Sequence, residues 1–326
     1  MTTMIDDVRT QARPSAAAPA AERLRATMAA ARVSFTWMGT RKALSADQNA
    51  RAAEAFGAEG RSLSAGKKLL DTGHEAFRAV TAIRGRIDAY WKGVSLPFPE
   101  PGVRLVRHAD LEDFAAAMAA SRAELDAAVA ALDRRYAGLV AAARLRLGTL
   151  FDAADYPASL AGLFAVEWSF PSVEPPEYLA GLCPGLYEAE RARASARFEE
   201  AVQLAERAFA EEFARLVEHL CERLEGRDGS GQPKVFRDSA VEGLSAFFGR
   251  FRALNVSSDA QLEELVARAQ RLVGGVSAQD LRDGDGLRRR VAEGLGRVGQ
   301  GLDGLLADRP RRRIVRSTAS SATGEA

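Results

Sequence analysis

The residue types best suited to metal or acid–base chemistry come together around His219. Cys221 and Glu222 follow it within three positions, and residues three apart share one helix face, where they can hold a metal ion or exchange a proton. His219 falls at the edge of the apolar stripe through Leu216 and Leu220, which favours a solvated histidine. We therefore predict no metal site, no cofactor and no catalytic residue here.

A second stretch, Gly60 to Lys68, resembles a phosphate-binding loop. Five residues separate Gly60 from Gly66, where that loop has four, and Lys68 stands where a serine or threonine contacts magnesium. No strand pattern precedes the stretch. We interpret it as the N-terminal segment of a helix with solvated lysines.

Glycines recur between residues 284 and 304, but they interleave with apolar residues at helical spacing and follow no strand. This pattern predicts a helix of low intrinsic stability whose small residues allow a neighbouring element to approach closely.

The most concentrated charge is an arginine cluster near the C-terminus. Its members are Arg309, Arg311, Arg312, Arg313 and Arg316. Clustered arginines can contact the phosphates of nucleic acid without sequence preference, and such binding weakens as salt is added. The other interpretation is a solvated tail without a function. No aromatic residue interleaves with them, which argues against a stacking platform for single strands.

Composition limits the alternatives. The 326 residues are 47% hydrophobic, enough for a sizeable core, and 45 Lys and Arg balance 44 Asp and Glu, so no global field attracts nucleic acid or membrane. Cys183 and Cys221 are too few for a disulfide framework. No apolar run approaches the ~18 residues of a membrane span, and we expect a cytoplasmic protein with no membrane contact.

Two segments alternate apolar and polar residues as half-buried strands do. Val33, Phe35 and Trp37 form the apolar side of the first, and residues 164–170 repeat the pattern. We predict that these strands form a small two-stranded antiparallel sheet.

Helical periodicity dominates the remainder. A weak helix near 46–57 precedes a second helix over residues 70–94, which ends before Pro97. A third helix has Asp110 as its cap and runs nearly forty residues, and a fourth spans 186–225. The last two, each roughly 55 Å long at 1.5 Å per residue, predict an antiparallel hairpin.

Three shorter amphipathic helices follow. The spacings of Ser239 with Glu242 and of Ser258 with Gln261 predict capping boxes at the start of two of them.

The fold class is thus mainly α: an elongated helical bundle or hairpin of long amphipathic helices with a small sheet. The predicted organisation is as follows: a leader over 1–20, a long-helix domain over 21–226, a linker over 227–233, a short-helix region over 234–308 and a basic, Ser/Thr-rich tail over 309–326.

Several segments together resemble an uncharacterised phage- and plasmid-associated family, the domain of unknown function 3150. They are Val33-Ser-Phe-Thr-Trp-Met-Gly-Thr-Arg-Lys-Ala-Leu44, Gly60-Arg61 to Lys68-Leu69-Leu70, Leu96-Pro97-Phe98 and Leu150-Phe-Asp-Ala-Ala-Asp-Tyr-Pro157. The resemblance covers roughly residues 30 to 180. The matching positions, all of unknown role, are Trp37, Gly39, Arg41, Lys42, Leu96, Pro97, Phe98, Asp155, Tyr156 and Pro157.

The resemblance implies a protein partner, because genes of this family often stand beside those of MoxR- or cobalt-chelatase-type AAA+ ATPases. We therefore predict a non-enzymatic scaffold or adaptor for such an ATPase. The alternatives are a nucleic-acid accessory protein using the C-terminal arginines and an enzyme assembled from Arg104, Arg107, His108 and Asp155. A homo-oligomer also fits, since the apolar stripes can face another copy of the chain.

Overall fold

The computed structural model describes residues 18–225 and 239–307. The chain divides into two compact units between Ala201 and Val202, inside a long helix. Helices predominate in both units, and the strands belong to the first. No helix among the described residues is both long enough and apolar enough to cross a bilayer.

The first unit contains a four-stranded antiparallel sheet in the order β4-β5-β1-β6. Its strands are β1 (Met28–Trp37), β4 (Ser95–Pro97), β5 (Val103–Arg107) and β6 (Phe164–Ser169). Val33 lies opposite Trp168 and Phe35 opposite Val166, so the predicted pairing is confirmed.

The sheet has four strands rather than the two expected. β5 pairs with the first half of β1, from Met28 to Arg32, where alanines blur the alternation that marks the second half. In β5, Val103, Leu105 and Val106 are all buried, so buried residues do not alternate with exposed ones along this strand. Strands buried on both faces lack the period-two signal.

A separate two-stranded ribbon joins β2 (Arg41–Ala43) to β3 (Gly66–Lys68), with Arg41 opposite Lys68 and Lys42 opposite Lys67. The prediction of a helical N-terminal segment with solvated lysines is wrong here. Residues 66–68 form a strand, and Lys67 is 7% exposed. Three residues are too few to display a period of any kind.

The first unit's helices are α1 (Ala20–Thr27), α2 (Ala46–Glu54), α3 (Glu75–Gly93), α4 (Leu111–Leu147), α5 (Tyr178–Leu182) and the start of α6 (Pro184–Glu225). α4 packs along α3 and against β6. α3 is thus the helix that α4 packs along, and the hairpin expected between the two long helices stays a prediction.

The predicted stripe of α4 is buried, with Phe114, Met118, Leu125, Leu132, Tyr136 and Leu139 all in the core. Asp110 occupies the cap position but makes no cap hydrogen bond. Its carboxylate instead accepts two hydrogen bonds from Arg107, at 2.6 and 2.7 Å. Gly148, at a φ of 52°, ends the helix in a conformation that favours glycine.

The second unit combines the remainder of α6 with α7 (Ser239–Leu254), α8 (Ala260–Val273), α9 (Ala278–Asp283) and α10 (Asp285–Ala307). The three predicted helices are present, together with the short α9. Phenylalanines fill the space between α6 and α7, where the Phe213 and Phe247 rings stack at 5.0 Å and Phe209 meets Phe251 edge-on at 5.1 Å.

Two glycines of α10 lie against leucines of α8. A Cβ on Gly294 would lie 2.7 Å from both methyl carbons of Leu272, and one on Gly301 would lie 2.7 Å from Leu265. Close approach through small residues is thus confirmed at these two positions. A Cβ on Gly286, Gly296 or Gly304 would meet nothing within 4 Å.

One predicted cap is displaced by a residue. Asp259, not Ser258, is the N-cap of α8, and its carboxylate accepts from the Leu262 amide at 2.9 Å. The Ser258 hydroxyl instead donates to Glu206 of α6. α7 begins at Ser239.

Three predictions fall outside the described residues almost entirely: the leader over 1–20, the linker over 227–233 and the tail from 309. Ala20 already belongs to α1.

Candidate functional site

The best-defined polar cluster of the first unit joins Lys42, Lys67 and Asp155. Lys42 and Lys67 lie directly opposite each other on the ribbon, so their side chains leave it on the same face. Asp155 ends a single 3₁₀ turn, Ala153–Asp155, which begins where the Asp152 carboxylate accepts from the Ala154 amide at 2.9 Å. The ribbon and this turn are thus held together by charge.

The Asp155 carboxylate is entirely buried, whereas the two lysines differ in exposure. Its Oδ1 accepts a hydrogen bond from Lys42, whose side chain is 55% exposed, and Oδ2 lies 2.6 Å from the Nζ of Lys67, which is 5% exposed. The Lys67 ammonium also donates to the Leu150 carbonyl at 2.7 Å. Lys67 therefore balances the buried carboxylate inside the protein while Lys42 covers it from the solvent side.

Asp155 and Lys42 hold their charges at neutral pH. Hydrogen bonding from Lys42, and then the contact with Lys67, lowers the pKa of Asp155 below its ordinary value, which outweighs the opposing effect of burial. The same hydrogen bond to Asp155 raises the pKa of Lys42. We call Lys42, Asp155 and Lys67 together the charged bracket.

Aromatic residues extend this bracket. The Tyr156 hydroxyl donates to the Leu69 carbonyl at 3.0 Å, and its ring stacks on Phe151 at 5.0 Å. Burial raises the pKa of the Tyr156 phenol, so the donor keeps its proton. The Arg144 guanidinium lies 5.1 Å from the Phe151 ring centre.

The structure brings together three positions of the family resemblance: Lys42, Asp155 and Tyr156. Arg41 and Gly39 stand next to them in the chain. Lys67 lies within a resemblance segment without being one of its matching positions, and the doubled charge in Gly66-Lys67-Lys68 is its only sequence signal.

The other resemblance positions lie at separate places in the unit. The Trp37 ring meets Phe164 edge-on at 5.0 Å, and the Arg84 guanidinium lies 4.7 Å from the Trp37 ring centre. Leu96 pairs with Leu105 in the sheet, Pro97 ends β4 and Phe98 contacts Phe198 at 5.6 Å.

An exposed apolar segment follows β6. Tyr178 and Leu182 belong to α5, and Leu186 lies in the first turn of α6; they are 66%, 74% and 48% exposed. We call these three residues the Tyr178–Leu186 segment. The sequence pattern does not predict this segment, because α5 is too short to show a periodic signal.

None of the three histidines belongs to the charged bracket. His219 is exposed, as predicted, and so is His108. His74 caps α3, its Nδ1 accepting from the Ala76 amide at 3.2 Å. Among residues 18–225 and 239–307, no three His, Cys, Asp or Glu side chains are grouped as metal ligands.

The residues of the enzyme alternative have separate partners. Arg104 donates to the hydroxyl and carbonyl of Ser95, and Arg107 to Asp110, whereas Asp155 binds the two lysines. The arginines at positions 309–316 lie outside the described residues.

Comparison of the chain with protein-family models, with curated proteins and with solved structures finds no match.

Proposed function

We propose that this protein is a non-enzymatic helical scaffold or adaptor that docks on a protein partner. The Tyr178–Leu186 segment carries this proposal. Its three large apolar side chains are spaced four residues apart and are each about half exposed or more. Large apolar side chains exposed at a surface are typical of protein-binding sites, and tyrosine is enriched there.

The partner we propose is a AAA+ ATPase of a phage-derived or mobile-element system. Support comes from the family resemblance, and the ATPase would supply the chemical energy. The charged bracket fits this role, because its charged groups bind one another and join the β2-β3 ribbon to the turn at residues 153–155. An elongated arrangement of α4 and α6 belongs to the same proposal, and small-angle X-ray scattering measures it.

Co-purification from a host that retains the neighbouring genes tests the proposal. We expect the ATPase to be retained by the wild-type chain, and Leu182→Ser to weaken the complex about tenfold or more, as the loss of a central apolar contact does. Leu145→Ser is the matched control, since Leu145 is 87% exposed on α4. Recovery of the chain without an ATPase, or equal weakening by both variants, would contradict the proposal.

The alternative function, nucleic-acid binding through Arg309, Arg311, Arg312, Arg313 and Arg316, is tested separately. Deletion of residues 309–326 should abolish salt-sensitive DNA binding if these arginines supply it. Undiminished binding after the deletion would remove the tail from consideration.

We also propose that the protein acts in the cytoplasm and that copies can associate. Both cysteines, Cys183 and Cys221, are free, which fits a reducing compartment. Light scattering measures the mass in solution, and a monomer would leave the Tyr178–Leu186 segment to a different protein.

A further inference from the structure

The β2-β3 ribbon has two faces that carry the same charge and differ in how that charge is balanced. Directly opposed residues of an antiparallel pair project to one side, and successive residues alternate. Lys42 and Lys67 therefore occupy the inner face, toward Asp155, while Arg41 and Lys68 occupy the outer face.

On the inner face the opposed cations share a carboxylate. On the outer face Arg41 and Lys68 are both exposed, as are the neighbouring Ala43 and Gly66. Within the described part of the chain, neither outer cation forms an ion pair with a carboxylate. Four cations on six strand residues thus have one buried counter-ion between them.

Like charges placed directly opposite each other weaken strand pairing. Asp155 relieves this repulsion on the inner face, and an external anion would do the same on the outer face. Arginine offers a planar set of donors and lysine a compact charge, a combination that suits the oxygens of a phosphate group.

The exposure of the outer face favours a polymer over a small ligand. All four of its residues are open to solvent, so a free phosphate ion would be held by only two solvated side chains. A polyanion instead gains from releasing its condensed counter-ions at each contact.

We propose that the outer face of the β2-β3 ribbon contacts the phosphate backbone of duplex nucleic acid through Arg41 and Lys68. Lys42, partly exposed beside Asp155, adds to the positive potential at the rim. This contact is independent of the adaptor proposal and of the C-terminal arginines.

Fluorescence anisotropy of a short DNA duplex, titrated with the full chain over a series of salt concentrations, tests the proposal. Each phosphate contact adds about 0.9 to the steepness of log affinity against log salt, so Arg41→Ala with Lys68→Ala should lower it by about 1.8. When salt rises from about 50 to about 200 mM, the factor by which the affinity falls should be roughly twelve times smaller for this variant than for the wild type.

A second double variant controls for net charge. Arg86→Ala with Lys92→Ala removes two exposed cations of α3, which pair with Glu124 and Asp88, and should leave the salt dependence near that of the wild type. Arg41→Lys should also leave it unchanged, because the charge remains. Circular dichroism checks that each variant is folded.

Three results would overturn the proposal: a wild-type chain that binds no duplex, a ribbon variant with unchanged salt dependence, or an equal loss in the α3 control. The same titration on the chain lacking residues 309–326 separates the two sources of charge. A ribbon effect of about 1.8 should persist there, whatever the tail contributes.

Discussion

The two units are stabilised at their critical contacts by different means. In the first, residues more than a hundred positions apart, Lys42 and Asp155, meet at a buried carboxylate. In the second, the close contacts between α8 and α10 are apolar and arise from short sequence separations, such as Leu272 against Gly294. The first unit depends on correct pairing of distant segments, and the second on shape complementarity between helices that lie close together in the sequence.

This difference predicts that the two units are sensitive to different kinds of substitution. A buried ion pair tolerates loss of one partner poorly, because the remaining charge is left in a low-dielectric site. A helix contact through glycine tolerates added volume poorly, because the facing side chain must move. Each unit should therefore have a position whose substitution harms that unit alone.

The largest effect is expected for Asp155→Asn. Lys67, with its side chain 5% exposed, would lose its counter-ion, and removal of one member of a buried pair costs about 3–5 kcal/mol. Denaturant unfolding gives the loss in free energy, and hydrogen exchange should place it in the first unit, with α8 and α10 unaffected. Asp126→Asn, at an exposed position of α4, is the matched control.

Acid should reproduce this loss in the wild type. The pKa of Asp155 is lowered in the folded protein, so its contribution is fully present above the ordinary value of 3.8 and disappears as pH falls through the lower, folded pKa. The free-energy difference between wild type and Asp155→Asn should shrink over that range. A difference that stays constant to strongly acidic pH would show that the charge of Asp155 is not responsible.

In the second unit we expect Gly294→Ala to destabilise by about 1–3 kcal/mol, because the new methyl would overlap the Leu272 side chain. Gly296→Ala, two positions away, adds a methyl with nothing within 4 Å. That variant should stabilise α10 by about 0.5–1 kcal/mol, since alanine is the better helix former. Thermal unfolding of the pair gives the signs, and two shifts in the same direction would refute the packing argument.

The contrast between the units also explains how much the sequence could predict. The burial of α4 and the two strands that contain Val33 and Trp168 follow from periodicities sustained over many residues. The ribbon does not, because three-residue strands have no measurable period and their register depends on contacts with a turn at residues 153–155. The sequence therefore predicts a solvated Lys67. Its neighbours Gly66 and Lys68 are indeed exposed, and Lys67 alone of the three is buried by the fold.

The same limit applies at finer scale to helix ends. Ser258 with Gln261 matched the capping-box spacing, yet the adjacent Asp259 is the cap. Both serine and aspartate cap helices well, so sequence alone cannot choose between neighbours. In the structure Asp259 caps the helix, and the Ser258 hydroxyl donates to Glu206 of α6.

Substitution at these two positions measures that choice. Asp259→Ala should cost about 1 kcal/mol, because the Leu262 amide loses its acceptor. Ser258→Ala should cost only a few tenths of a kcal/mol, as loss of an exposed side-chain contact does. Denaturant midpoints of the two variants distinguish these magnitudes. A larger loss for Ser258→Ala would instead favour the cap predicted by the capping-box spacing.

The smallest effect is expected at alkaline pH in the first unit. The pKa of Lys42 is raised above its ordinary value of 10.5 by its hydrogen bond to Asp155. Its contribution is therefore fully present below 10.5 and is lost as pH rises through the folded pKa. Because the Lys42 side chain is 55% exposed, solvent and salt screen this pair far more than the one with Lys67. The stability of the wild type should therefore decline only slightly at alkaline pH, and Lys42→Met should remove that decline. Lys67→Met should destabilise the unit already at neutral pH, because the buried carboxylate would keep only its partner on the solvent side.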